Sequence, residues 1–194
     1  MNAASASARN DKSAVLAAAM RVLAENGLPG LSMRRIADEL DVQVSALYWH
    51  FPNKQALLAA VSAQIVGARL PGGEMDAVAR ALRDRLLAHQ DGAEIVSSSL
   101  ALELLDLPAR TALAAAARAG GLDEAASQVA ADTIVHYVIG YTFHEQQRVH
   151  AAVVGAVDAS ADLSPSDVDR RGDDFEAGLA MVVAGVRAAA STRR

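Results

Sequence analysis

The stretch LSMRRIADELDVQVSALYWHFPNK, residues 31–54, decides the fold. Ser32 has the short hydroxyl side chain that caps a helix N-terminus. Met33, Ile36, Ala37 and Leu40 then recur at helical spacing, which predicts a short helix to about Leu40. Asp41-Val42-Gln43 breaks that pattern, and aspartate suits the break because it tolerates a left-handed or turn conformation. A second short helix is predicted from about Val44 to His50, with Val44, Leu47 and Phe51 facing inward. Pro52 stops it, because the residue before a proline is pushed away from helical angles. Asn53 is placed to cap the helix that follows. Two short helices joined by a tight turn make a helix-turn-helix, whose second helix enters the major groove of DNA.

The outward side of that second helix suits such a role. Gln43, Ser45, Ala46, Tyr48, Trp49 and His50 combine small residues, hydrogen-bonding tips and flat rings. Small residues let a helix approach the groove floor, glutamine can bond an adenine edge, and serine can bond a base or a phosphate. Arg34 on the first helix and Lys54 at the start of the next are placed to hold phosphates on either side. The alternative is that Tyr48-Trp49-His50 caps a three-helix core. Leu47 and Phe51 are read as core, and Trp49 as shared between core and groove.

Residues 14–61, AVLAAAMRVLAENGLPGLSMRRIADELDVQVSALYWHFPNKQALLAAV, resemble the N-terminal domain of TetR-family transcriptional repressors. The most specific pieces are LYWHFPNKQALL, Leu47 to Leu58, and GLSMRRIA, Gly30 to Ala37. The resemblance implies that the groove-reading helix falls on Gln43 to His50, and that phosphate contacts fall on Arg34, Tyr48, His50 and Lys54. Asp41 departs from the family, which usually has glycine there. An acidic turn near phosphate is mildly unfavourable.

Composition narrows the rest. At 194 residues the chain can hold one small and one medium domain, and its 52% hydrophobic content, rich in alanine and leucine, favours an all-α protein. There is no cysteine, hence no disulfide framework and no thiolate chemistry. No apolar run approaches membrane-spanning length, and MNAASASARNDK has no hydrophobic centre for a signal peptide, so a soluble, cytoplasmic protein is expected. The net charge of −5 is unevenly spread: residues 1–62 carry six Lys/Arg and five Asp/Glu, the remainder twelve and eighteen. DNA contact is therefore expected at the N-terminal end, through a few placed cations doubled by dimerisation.

Along the chain, residues 1–10 read as disordered, with Arg9 and Lys12 able to touch phosphate. A first helix is predicted from Lys12 to Asn26, ended by Asn26-Gly27, and supplies the third helix of the head. The helix after Asn53 is predicted to run to about Leu70, before the breaker Pro71-Gly72-Gly73. The functional boundary is placed inside it, near Val61, giving a DNA-binding domain 1–61 and a ligand-binding and dimerisation domain 62–194. Further helices are predicted at Met75–Gln90, Ala93–Leu105, Pro108–Ala119 and from Asp123 to about Val154. A polar loop follows over Ala156–Leu163. Ser164-Pro165 opens a short helix that Gly172 ends, and a last helix runs from Asp173 to Ala190.

The long helix and the last helix carry small residues, among them Gly140, Ala177, Gly178, Ala184 and Gly185. Glycine inside a helix costs roughly 1 kcal/mol against alanine, a cost that close approach of another helix would explain. Intramolecular packing and a four-helix homodimer interface both fit; the family resemblance favours the dimer. The stretch HYVIGYTFHEQQ, His136 to Gln147, sets imidazoles and amides among aromatics, and so suits an effector pocket with apolar walls and a few polar anchors. The candidate effector set is Leu82, Leu86, His89, Val96, His136, Gly140, Phe143, His144 and Gln147; the alternative for each histidine is a core, interface or surface place.

LLAHQDGAEIV, Leu86 to Val96, and HYVIGYTFHEQQ also resemble the ligand-binding domain of the tetracycline-repressor branch, where the drug arrives as a magnesium chelate. The resemblance puts Val96 where that branch has a metal-binding histidine, His144 where the partner subunit gives an acidic ligand, and Val78 near a drug-anchoring amide. The expectation is a different, more apolar small-molecule effector, with no metal and no cofactor. Enzyme chemistry is not expected. Arg148 stands where a zinc motif starting at His144-Glu145 needs its second histidine, and there is no nucleophile elbow, phosphate loop or dinucleotide fingerprint. The reading is a homodimeric repressor on a palindromic operator, released by an effector. The alternative is an activator or a helical partner-binding protein without an effector.

Overall fold

The structure, a computed structural model, describes residues 11–70, 72–155 and 165–191. The expectations for residues 1–10, Pro71, the 156–163 loop and the Ser164 cap lie outside the described residues. Among the described residues every regular element is a helix: α1 Lys12–Gly30, α2 Met33–Leu40, α3 Val44–Tyr48, α4 Lys54–Val66, α5 Met75–Leu87, α6 Gly92–Ala101, α7 Pro108–Ala119, α8 Glu124–Val153 and α9 Pro165–Ser191. No described helix is long and apolar enough to cross a membrane. By contact the chain forms two compact units, Met1–Ile65 with Ala88–Asp106, and Val66–Leu87 with Leu107–Arg194.

In the first unit, Asp11 caps α1 by accepting the Ala14 N–H at 2.6 Å, and that bond holds its carboxyl below the usual range. Gly27 leaves helical angles (φ 62°, ψ −175°), as the Asn26-Gly27 signal predicts, but one more turn follows to Gly30. Pro29 tolerates that position because the first turn after a break needs no N–H from it. The Leu28 N–H donates to Asp91 Oδ2 at 2.7 Å. Val15, Leu23, Leu31, Ile36, Leu47, Phe51 and Leu57 form the buried centre, and Ile95 and Val96 of α6 are fully buried as well. Two hydroxyls are buried with them: Ser62 Oγ donates to the Ile95 carbonyl at 3.1 Å and lies 2.8 Å from Ser99 Oγ. The α6 helix stops at Ala101, not Leu105. Glu103 turns left-handed (φ 56°) and the Leu104 N–H closes onto the Ser99 carbonyl at 3.0 Å, with no glycine to mark the spot.

In the second unit α8 packs against α7 and α5, and α9 against α8 and α5. Asp123 caps α8 by accepting the Ala126 N–H at 2.8 Å. Leu82, Leu86, Leu113, Ile134 and Phe175 are fully buried. Arg85 donates to the carbonyls of Val66 and Arg69, and Gly67 turns left-handed (φ 65°), so the chain leaves α4 at Val66 and not near Leu70. The α5 helix ends at Leu87, short of Gln90. The short helix expected to end at Gly172 is instead continuous with the last one. A lone helical glycine costs only about 1 kcal/mol, too little to stop a helix held by packing further along. Tyr137 stacks on Phe175 (5.5 Å between centroids), and its O–H donates to the Phe175 carbonyl at 2.8 Å. Gly178 is required there: a Cβ would lie 2.3 Å from the Tyr137 hydroxyl oxygen.

Candidate nucleic-acid interface and effector face

Four local devices set up the reading pair. Ser32 Oγ accepts the Arg35 N–H at 3.2 Å and starts α2. Asp41 sits in the left-handed region (φ 54°, ψ 47°), and the Val42 N–H reaches back to the Ala37 carbonyl at 3.0 Å, closing α2 as a glycine would. The α3 helix is shorter than expected, ending at Tyr48. The Leu47 carbonyl accepts from both His50 and Phe51, at 3.0 and 2.9 Å, and turns the chain ahead of Pro52. Asn53 Oδ1 then accepts the Ala56 N–H at 2.8 Å, starting α4.

Those devices leave a defined outward face. Gln43, Ser45, Tyr48 and Trp49 are exposed, and Ala46 and His50 are half-buried. Trp49 is 89% exposed, so it has no share in the core; Leu47 and Phe51 fill that place at 0% and 2%. Val44 is half-buried. Gln43 precedes α3 but makes no side-chain capping bond, which leaves its amide outward. The cations divide by task. Arg21 bonds Glu39 at 2.9 Å and Arg35 bonds Asn26 at 2.8 Å, both within the scaffold. Lys12 lies over the Phe51 ring at 5.4 Å. Arg34 and Lys54 are exposed and make no hydrogen bond or ion pair among the described residues.

The effector candidates are less tightly grouped. Leu82 and Leu86 are fully buried on α5, and α8 packs against that helix, with Gln146 Nε2 donating to the Leu86 carbonyl at 3.0 Å. On α8, Gly140, Phe143 and Gln147 are half-buried, while His136 and His144 are exposed and not set in a buried face. The His144 ring meets Phe143 edge-on, 5.8 Å between centroids. His89 and Val96 belong to the first compact unit. Val96 is fully buried, and burial pushes the His89 imidazole below its ordinary pKa.

Sequence reasoning missed several polar residues here. Arg83 Nη2 donates to both carboxylate oxygens of Glu145, at 2.8 and 2.9 Å, and the guanidinium lies 4.6 Å over the Phe175 ring. Among the described residues, Arg83 Nε and Thr142 Oγ1 are buried without a hydrogen-bond partner. Among the described residues nothing lies within 4 Å of where a Cβ would stand at Gly140 or Gly185, so no described contact explains these glycines. A groove of about 620 Å³ runs beside Gly185, with Val129 and Met181 exposed on its walls.

A capped helix pair on a third helix, with its second member outward and two uncommitted cations flanking it, is a helix-turn-helix DNA-binding head on an all-α protein. Residues 15–61 match the family model of bacterial regulatory proteins of the tetR family, and residues 73–190 that of the tetracyclin repressor-like C-terminal domain. The chain is 33% identical over 195 residues to the tetracycline repressor protein class A from transposon 1721 of Escherichia coli, covering 89% of this chain and 88% of that one. The structure of Mycobacterium smegmatis BioQ is similar at TM-score 0.79 and 38% identity, over 92% of this chain and 98% of that one. BioQ with its natural double-stranded DNA operator gives 0.75 and 37%, with the same coverage. TetR-Q116A of Acinetobacter baumannii AYE in complex with minocycline gives 0.71 and 27%, over 93% and 98%. The chain belongs to the tetR family: it is a DNA-binding transcriptional regulator and not an enzyme.

Proposed function

We propose that the protein acts as a homodimer, binds a palindromic operator, and is released from it by a small apolar effector. The observation that carries the reading is the outward face of α3, where Trp49 is 89% exposed and the Gln43 amide takes no part in capping. An isolated aromatic held in water has no structural benefit; against a groove it has contact area to gain. Gln43, Ser45 and Ala46 read bases, Trp49 packs in the groove, and Arg34, Tyr48, His50 and Lys54 hold phosphates. Residues 1–61 carry the reading and 62–194 the ligand and dimer functions. Two heads about 34 Å apart meet successive major grooves. BioQ with its operator supports the DNA side of this reading.

The dimer forms along α8 and α9, where Gly140 and Gly185 face open space and Val129 and Met181 are exposed. Small residues there let partner helices approach closely. The effector residues of the second unit are Leu82, Leu86, His136, Gly140, Phe143, His144 and Gln147, and those of the first unit, taken by themselves, are His89 and Val96. The minocycline complex of the Acinetobacter protein supports a ligand-binding second domain. Tetracycline with magnesium is not the effector: the hydrocarbon side chain of Val96 has no atom to offer a metal. Magnesium-dependent tetracycline binding at micromolar affinity in a calorimetric titration would refute that point.

The test is a fluorescence-anisotropy titration against the DNA upstream of the gene, at two salt concentrations and with competitor DNA. Saturable binding that survives competitor and weakens with salt is expected. Arg34→Ala and Lys54→Ala should weaken binding to all sequences alike, whereas Gln43→Ala should relax preference at one base pair. Equal displacement by any competitor, or a uniform loss in Gln43→Ala, overturns the reading.

A further inference from the structure

The start of α1 lies beside the end of the reading helix. Lys12 Nζ stands 5.4 Å over the centroid of the Phe51 ring. Phe51 is 2% exposed and so is a fixed platform, while Lys12 above it is exposed. The negative face of the ring attracts the ammonium and limits where it can swing. Among the described residues Lys12 makes no hydrogen bond or ion pair. Its neighbour Asp11 does not neutralise it. Adjacent residues on a helix do not face each other, and the Asp11 carboxylate is committed to the positive end of α1, where it accepts the Ala14 N–H at 2.6 Å. That carboxyl is held below its usual range chiefly by the Ala14 N–H and, least of all, by the charge of His50, which places the imidazole near the start of α1 as well. Lys12 and His50 therefore converge on one spot from elements far apart in sequence.

We propose that Lys12 is a phosphate anchor of the DNA-binding head, held at the exit of α3 by the Phe51 ring. The inference rests on the groove-reading role of α3 proposed above. A helix seated in the major groove has phosphates along both walls, and an ammonium at its exit meets one of them. A lysine without a platform loses its side-chain freedom on binding DNA; this one has given up part of it in the fold. Lysine suits the position because a compact charge with three donors accepts a phosphate oxygen from many directions. The charge balance makes the contact count. Residues 1–62 carry six Lys/Arg against five Asp/Glu, and Arg21 and Arg35 are bonded inside the scaffold. With Arg34 and Lys54, Lys12 is the third cation of the head that meets no acceptor among the described residues.

The test is a fluorescence-anisotropy titration of the full chain over a salt series, on the DNA upstream of the gene and on a duplex of scrambled sequence. Lys12→Met keeps a straight apolar stem over Phe51 and removes the charge; Lys12→Arg keeps both. Each phosphate contact contributes about 0.9 to the slope of log affinity against log salt. A rise in salt of about four-fold should therefore cost the unaltered protein about 3.5-fold more affinity per head than it costs Lys12→Met. Lys12→Arg should keep the full slope. Arg21→Gln makes the same charge change on the same helix, but within a scaffold ion pair, and should leave the slope as it is. A phosphate contact is blind to sequence, so both duplexes should show the loss. Equal displacement from both duplexes by competitor, with the slope still reduced in Lys12→Met, refutes the operator reading and leaves the anchor standing. An unchanged slope in Lys12→Met, whether or not its melting temperature falls, overturns the anchor. So do an equal loss of slope in Arg21→Gln and the absence of salt-sensitive binding to either duplex.

Discussion

Replacing Gly27 by alanine tests the local geometry on which the reading head rests. Gly27 adopts φ 62° and ψ −175°, a region essentially closed to residues with a Cβ and costing about 1–3 kcal/mol when forced. A Cβ there also lies 2.8 Å from Asp91 Oδ2 and 2.8 Å from Gln90 Nε2. Asp91 must retreat, and its bond to the Leu28 N–H goes with it, a loss of about 1.5–3 kcal/mol for a hydrogen bond to a charged group. Partial relaxation shares these costs, so about 3 kcal/mol of destabilisation is expected. An ordinary glycine inside a helix has the opposite sign, since alanine there gains about 1 kcal/mol. Urea unfolding followed by far-ultraviolet circular dichroism separates the two cases by the shift in midpoint. Asp91→Ala sharpens the test: alone it costs about 1.5–3 kcal/mol, but in the Gly27→Ala background well under that, the bond being already lost. A midpoint unchanged or raised in Gly27→Ala, or additive effects in the double variant, would refute the argument.

Three further outcomes follow from geometry. Trp49 is the only tryptophan and stands in water, so native emission should resemble that of the denatured chain and be quenched by acrylamide until operator DNA protects it; a blue-shifted, protected native spectrum contradicts the exposed placement. Gly178→Ala should cost about 1–3 kcal/mol by driving a methyl into Tyr137, whereas Gly172→Ala, in the same helix with no described atom within 4 Å, should stabilise by up to about 1 kcal/mol; melting both variants decides it. Burial lowers the His89 pKa below 6.5, so the fold favours the neutral imidazole. The stabilisation is full above 6.5 and lost as pH falls through the lowered folded value, and His89→Gln should flatten that part of the stability profile in thermal melts across the acid range.

What was legible in the sequence is what short-range chemistry determines. Ser32, Asn53 and Asp123 each cap a helix because a short polar side chain reaches an N–H only three residues away. Asp41 could be read as a left-handed turn for the same reason, its side chain being one of the few that tolerates it. The misses come from partners distant in sequence. Nothing near Val66 announces that Arg85 will take up its carbonyl, and nothing near Leu28 announces Asp91. Only the core share expected for Trp49 fails, because hydrophobicity says what a ring prefers, not which side of a short helix it is given. The Arg83–Glu145 pair was missed because α5 and α8 are brought together only in the fold, 62 residues apart in sequence.

The compact unit that carries the reading helices includes residues 88–106, supplied from beyond α5. This bears on how such proteins can be recombined. A chimera cut once after Ile65 would transplant the groove-reading face but leave its Asp91 carboxylate, its Ser99 hydroxyl and its buried Ile95 in the donor. The recipient would have to provide equivalents by chance of descent. Moving this DNA specificity intact takes two grafts and therefore three junctions. A genetic screen for lost operator binding should accordingly yield substitutions in 88–106 that never touch DNA.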